Sequence, residues 1–331
     1  IHYLYTIKST FISLMNIIKF SSQFPDEKSC IEHFKAQRDA CGVVCPKCGC
    51  VHHYWLQNKL CYECKQCHHR QSLRSGTVME NSKLPFMYWY IAMHLLTSTK
   101  KSFSAAELQR QLGHKRYQPI WEMVCKLRDV MGKRDNLYQL TDEVELDNAF
   151  ITTLIPEDQK DKPLKRGIGS QRQSKIVVMS ESSFVKNPKP GKKPKRVNHL
   201  KMLVIDDLKA NTILNTVKEH VDPQAELTTD DAPPYSKLSE HVKSHHAQVI
   251  KKEDLPKILP WVHIAIGNVK RLLLDVHHQL TNEYLQYYLN EFCYKFNRRY
   301  FGDAIFDRLL VAAVSYNTDF KSRIYNRNSC G

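Results

Sequence analysis

Two C-x-x-C pairs inside the stretch CPKCGCVHHYWLQNKLCYECKQCHHRQ constrain this chain more than any other feature. Cys45 and Cys48 form one pair, Cys64 and Cys67 the other, and fifteen residues separate them. That is a zinc-ribbon spacing: each pair makes a tight knuckle, and the two knuckles are joined by short strands. Four thiolates around one Zn2+ leave no open position, so the ion they predict is structural. Cys41, Cys50 and Cys61, with His52, His53, His68 and His69, crowd the same stretch, but only the chosen four make two symmetrical knuckles at this separation.

Eight of the eleven cysteines lie between Cys30 and Cys67. A disulfide framework would be spread through the fold, so the clustering predicts metal binding in a reducing cytoplasm. The chain carries 49 Lys+Arg against 34 Asp+Glu, a net charge of +15. Nucleic acid is the partner such a field predicts; solubility alone is the bland alternative. No apolar run approaches the roughly 20 residues of a membrane span. Because the chain begins with Ile, residues 1–14 read as an upstream extension and Met15 as the start.

Three regions follow. Residues 15–80 hold the ribbon. Residues 81–140 have helical patterns, with an apolar helix in LPFMYWYIAMHLL and two further helices around Gly113, a helix-turn-helix arrangement or a plain linking bundle. Ser104 and Glu107 there have the spacing of a capping box. From 141 to 331 strands dominate: DEVELDNAFITTLI, SKIVVMSES, LKMLVIDDL and AELTTDD, with a helix from about 211 to 220 before the fourth. Between the second and third lies a Pro- and Lys-rich segment that cannot pack a core; Lys192, Lys193, Lys195 and Arg196 make it a solvated hairpin loop or a phosphate-tracking one.

Asp147 sits inside the first of these strands among Val144, Leu146, Phe150 and Ile151. A carboxylate there costs several kcal/mol unless compensated, and a bound cation compensates it. Glu145 shares its strand face and is a weaker candidate for the same task. Asp230 ends the fourth strand just before DAPPY, where two prolines turn the chain out of the sheet; taken alone it reads as a turn cap. The stretch LPWVHIAIGNVKRLLLDVHH is a helix with an apolar stripe of Val262, Ile266, Val269, Leu273 and Val276. Residues 259–274 contain no acid, but His263, Asn268 and Lys270 flank the stripe. His263 and Lys270, seven apart, share one flank, and Asn268 falls on the other.

An Asp on a first strand, a second Asp ending a fourth, and a functional helix about 33 residues later resemble the ribonuclease-H-like core of nucleases and transposases. Together with CPKCG, CYECKQCHHRQSLRSGTVMENSKLP, VELDNAFI, KRGIGSQRQSKIVV, ELTTDDAPPYSKL, VHIAIGNVKR and YLNEFCYKFNRR, the chain resembles transposases of the insertion-sequence fifteen-ninety-five family from about Phe24 to Leu310. The fold class implied is multidomain α+β: zinc ribbon, helical middle region and a C-terminal ribonuclease-H-like domain with a mixed sheet. The activity implied is cutting the ends of a mobile DNA element and joining them to target DNA, with Asp147 and Asp230 holding Mg2+ or Mn2+, and a homodimer bringing two ends together. The family pattern pairs its third active-site residue with a Lys seven positions later, which His263 and Lys270 satisfy; Asn268 offers the oxygen that Mg2+ prefers and is found at the third position in some members. Both stay candidates, with His263 preferred. Arg298 and Arg299 of the terminal motif read as phosphate contacts or surface ion pairs, and Tyr284, Tyr288, Phe292 and Phe296 as packing. Asn148 departs from the Glu many members carry after the first Asp, and Ala232 from a common Gly. A transposase-derived DNA-binding protein that has lost cutting is the competing reading, and a zinc-ribbon transcription factor leaves the buried carboxylate unexplained.

Overall fold

The computed structural model describes residues 15–167, 169–188, 191, 194–249, 258–277, 280–302 and 304–320. Residues 1–14 and the loop lysines Lys192 and Lys193 lie outside them. The described chain divides into two compact units, one from residues up to 133 with those from 298 onward, the other from Arg134 to Asn297.

The first unit opens with α1 (Ile17–Gln23) and α2 (Glu27–Cys41). Asn16 Oδ1 accepts the Lys19 N–H at 2.9 Å and Asp26 caps α2 by a reciprocal box with Ser29, so each helix begins where a side chain satisfies its orphan donors. Strands β1 (His53–Leu56), β2 (Cys61–Cys64) and β3 (Arg70–Ser72) form an antiparallel ribbon in that order. Helix α3 (Phe86–Ser98) buries Phe86, Trp89, Tyr90, Ala92, Met93 and Leu96. Its first N–H groups, those of Phe86 and Met87, donate to the Glu27 carboxylate at 2.8 Å, which ties α2 to α3.

Helices α4 (Ala105–Leu112) and α5 (Tyr117–Asp135) flank Gly113, whose φ of +62° closes α4 in the left-handed region that glycine adopts without strain. Ser104 Oγ caps the Glu107 N–H at 3.0 Å. The expected return bond of the box gives way to side-chain pairing: the Glu107 carboxylate accepts from Arg110 and Gln111. The last helix, α9 (Ala304–Ser315), packs on α2 and α3, and Phe306 meets Phe20, Phe24 and Tyr90 edge-on or tilted. The chain region from 298 on therefore returns to the first unit, where the sequence suggested a continuation of the strand-rich domain.

The second unit is built on β4 (Glu143–Thr152), β5 (Gln173–Phe184), β6 (Lys195–Ile205), β7 (Glu226–Asp230) and β8 (Ser244–Gln248). Their order is β6-β5-β4-β7-β8. The first three run antiparallel as a meander, then β7 and β8 run parallel to β4. This is the ribonuclease-H-like mixed sheet. Strand β8, SHHAQ, has no apolar alternation because it is an edge strand whose residues are exposed or half-buried, so nothing in its pattern announces it.

Period-two alternation sends the strands' side chains to two cores. One face buries Val144, Leu146, Val177, Met179 and Leu227 under helix α6 (Ala210–His220). The other buries Ala149, Ile151, Ile176, Val178 and Met202 under α7 (Pro260–Val276) and α8 (Asn282–Asn297). Helix α8 also satisfies N–H groups of edge strand β6: Val204 donates to Gln286 Oε1 and Leu200 to Asn297 Oδ1, both at 2.8 Å. Among the described residues no helix is long and apolar enough to cross a membrane.

Candidate functional site

The knuckle geometry comes from local backbone turns. Gly49 and His68 each follow the second cysteine of a pair, both at positive φ, and their N–H groups donate back to the Cys45 and Cys64 carbonyls at 2.9 and 3.0 Å. Cys45 Sγ lies 3.6 Å from Cys67 Sγ, and Cys48 Sγ lies 3.5 Å from Cys64 Sγ. All four sulfurs fall within 4.8 Å of one another, the one such ligand group among the described residues. Backbone N–H groups of Cys67 and Gln66 lower the Cys64 thiol, while the neighbouring thiols raise Cys48 and Cys67, as expected of four sulfurs held this close together. The four cysteines could hold a tetrahedral zinc ion. Cys50 stands aside, its Sγ occupied with the His52 backbone, and Cys41 lies 3.6 Å from Ser315 Oγ.

The second site forms on the sheet of the other unit. Parallel pairing sets Glu143, Val144 and Glu145 opposite Glu226, Leu227 and Thr228. Two residues further along each strand, Asp147 and Asp230 stand level at the carboxyl edge of β7, where parallel strands open to a ligand. The Asp147 side chain is 14% exposed, and its Oδ1 accepts the Asn148 N–H at 2.7 Å. Burial pushes its carboxyl up to about 6, while the Asn148 N–H and the His263 and Lys270 charges pull the other way and Asp230 adds to the rise. Burial also raises the Asp230 carboxyl, against the Ala232 N–H.

Helix α7 brings His263 over this edge: Nε2 lies 3.8 Å from Asp147 Oδ2, an ion-pair distance too long for a hydrogen bond. Asp230 Oδ1 and His263 Nε2 are both buried without a hydrogen-bond partner. Two unsatisfied polar atoms beside Asp147 fit a cation or phosphate oxygen that supplies what the protein does not. Asn268 is exposed and makes no hydrogen bond or ion pair among the described residues. Five residues from His263, it projects at about 140° around the helix. Asp147, Asp230 and His263 are thus brought together, exposed Lys270 acts on Asp147 only through its charge, and Asn268 is not brought in.

Glu145 has a different task from the one its strand position suggested. Its Oε2 accepts the N–H groups of Trp261 and Val262, at 2.8 and 3.0 Å. Pro260 has no N–H, and the His263 N–H already bonds Leu259, so one carboxylate completes the capping of α7. On the opposite strand face, Asn148 Nδ2 donates to the Tyr235 hydroxyl at 2.8 Å, tying the Pro-Pro-Tyr turn after Asp230 to the strand that bears Asp147. Tyr235 is fully buried, and burial raises its phenol well above the usual range. Neither partnership is visible in sequence, although both partners adjoin motifs that are.

Of the basic residues singled out in the sequence, Lys195 pairs with the Glu143 carboxylate and lies 4.6 Å over the Phe184 ring. Arg196 is exposed. Arg298 is 4% exposed, too buried to offer its guanidinium to a phosphate, whereas half-buried Arg299 stacks at 4.3 Å on Tyr300.

Residues 139–297 match a family model described as the ISXO2-like transposase domain. No curated protein matches the chain.

Proposed function

With residues 139–297 belonging to the ISXO2-like transposase domain family, we propose that this protein is a DNA transposase that cuts element ends and joins them to target DNA. The observation that carries the reading is the convergence of half-buried Asp147, Asp230 and His263 on one sheet edge, with the buried atoms Asp230 Oδ1 and His263 Nε2 left without a hydrogen bond. Asp147 and Asp230 are the residues that would hold Mg2+ or Mn2+; the raised carboxyls and the orphaned oxygen fit such an ion. Divalent cations held there supply positive charge to the attacking and leaving oxygens of a phosphodiester.

The chain's own groups do the rest. Glu145 fixes the first turn of α7, so His263 is held at the carboxylate edge; its Nε2 orients a water or a phosphate oxygen. Lys270 adds positive charge beside the developing phosphorane. In strand transfer a 3′-hydroxyl oxygen attacks phosphorus, the P–O bond to the target's 3′ oxygen breaks, and that oxygen takes up a proton. Arg196 and Arg299 serve as phosphate contacts, zinc holds the ribbon, and two copies bring two ends together in the cytoplasm.

Strand cleavage and transfer with the element's own terminal repeats and Mg2+ or Mn2+ test this reading. Asp147→Asn and Asp230→Asn abolish product, His263→Ala lowers it by on the order of a hundredfold, and Asn268→Ala leaves it unchanged. Loss only in the Asn268 variant would transfer the third role to that residue. The absence of an acid over residues 259–274 of the α7 region favours one rival, a DNA-binding regulator without cutting activity; DNA binding with no product from wild type would establish it.

A further inference from the structure

The motif KRGIGSQRQSK runs from the β4–β5 connection, residues 153–172, into the start of β5, and no role has been assigned to that connection. A connection this long within a compact domain is characteristically functional. No acidic residue occurs from 162 to 175, while Lys162, Lys165, Arg166 and Arg172 do. All four are exposed, and among the described residues their side chains form no ion pair. The nearby acids are partly answered from within the loop, Glu157 by Lys160 at 2.7 Å.

The loop is a built surface. At its base the Thr153 and Ser174 hydroxyls pair in the interior at 2.9 Å, the Thr153 N–H donates to the Arg172 carbonyl, and the Leu154 N–H donates to the Leu280 carbonyl. Further out, Gln171 folds the chain back on itself: its Oε1 accepts the Lys165 N–H at 3.0 Å and its Nε2 donates to the Pro163 carbonyl at 2.8 Å. Lys162, Lys165 and Arg166 are therefore presented together on a held turn.

Register decides where that turn lies. Strand β7 stops at Asp230, level with Asp147, but the β4–β5 hairpin continues to Thr152 paired with Gln173. The hairpin overhangs the open carboxyl edge by five residues, roughly 17 Å, which spans about five base pairs of duplex. The β5–β6 turn lies at the other end of the same strands, beyond Glu143, and Lys195 and Arg196, expected in that loop, instead open strand β6 paired with Phe184 and Ser183. Of the two basic loops, only the first projects past the edge where a scissile phosphate would lie.

We propose that the β4–β5 loop is a DNA-backbone contact surface, in which Lys162, Lys165, Arg166 and Arg172 track phosphates flanking the cleavage edge. It rests on the transposase reading. Neutralising a phosphate contact removes counterion release whatever the base sequence, so the salt dependence of binding is the direct readout.

The test uses full-length, zinc-loaded protein and a random-sequence duplex over a salt series. Lys162→Gln with Lys165→Gln, and Arg166→Gln with Arg172→Gln, each make the slope of log K against log salt shallower by about 1.8, and the fourfold variant by about 3.6. Lys209→Gln with Lys243→Gln is the control of equal charge change, because those lysines are already paired with Asp207 and Glu226. The four loop residues are exposed, so circular dichroism and zinc content match wild type in every variant. Loop-variant slopes equal to the control's, with wild type binding DNA normally, overturn this proposal alone. No salt-dependent DNA binding by wild type overturns the transposase reading with it.

Discussion

At the scale of single residues, Asp147 shows how burial makes a common side chain costly to ionise. Its carboxyl is raised from the ordinary aspartate range to about 6, chiefly by burial. The unfolded chain therefore ionises first: the group's contribution to stability is complete below about pH 4 and is lost as pH rises through about 6. An amide at this position escapes that cost. In cation-free protein at about pH 7.5, Asp147→Asn is more stable than wild type by about 2 kcal/mol. The gain disappears near pH 4, while strand cleavage is lost throughout. Thermal melts at the two pH values check it; equal stability of variant and wild type at the higher pH would show that burial does not strain the carboxylate. Glu145, two residues earlier on the same face, is spared this fate because two N–H groups of α7 satisfy it. One face of one strand thus carries an acid that supports the helix and an acid that the helix leaves without such support.

At the scale of elements, the ribbon and the α7 helix owe their order to different interactions. The ribbon's three strands are three to four residues each, and a sheet that small needs help to fold alone. A zinc ion held by the four cysteines would supply that help, since ligand binding and folding are one free energy in such a domain. Cys45→Ser or Cys67→Ser lowers bound zinc from one per chain to none and opens residues from about 40 to 75 to proteolysis, read by metal analysis and limited digestion. One zinc retained per chain would refute the four-cysteine ligand set. Helix α7 instead rests on its apolar stripe, with Val262, Ala265, Ile266, Val269 and Leu273 buried against the sheet. That packing sets its azimuth and decides which flanking polar residue reaches the aspartates.

At the scale of the whole molecule, the chain leaves its first unit at residue 133 and re-enters it at 298. Helix α9 buries Ile305, Phe306, Leu309 and Leu310 there. Losing a single buried Phe costs roughly 3–5 kcal/mol. A chain ended after residue 297 therefore loses several such contributions, and the thermal transition of the first unit falls or vanishes, while protection of β4–β6 amides in hydrogen exchange persists. Equal loss of protection in both units would show that α9 supports more than its own unit. The division also falls inside the terminal Asn-Arg-Arg motif, whose Arg298 and Arg299 the sequence offered together as phosphate contacts. Asn297 ends the second unit, holding α8 to β6 and donating to the Asp135 carboxylate at 3.0 Å, and Arg298 is buried.

The sequence alone determined what depends on near neighbours. The C-x-x-C pairs specify their knuckles because a chelate turn needs only four residues. Gly113 and Ser104 specify a turn and a cap because both act within one helical turn. Period-two and 3.6-residue patterns marked β4–β7, α3, α6 and α7, since each buries one face against something. Tertiary structure decided what depends on register and azimuth. Asp147 and Asp230 are 83 positions apart in the chain and become level only through the β4–β7 pairing. His263 prevails over Asn268 in proximity because the stripe of α7 can seat on the sheet in one rotation, and Glu145 holds its first turn there. Strand β8 escaped notice because an exposed edge strand is held by backbone hydrogen bonds, which any residue but proline can make and no side-chain pattern records.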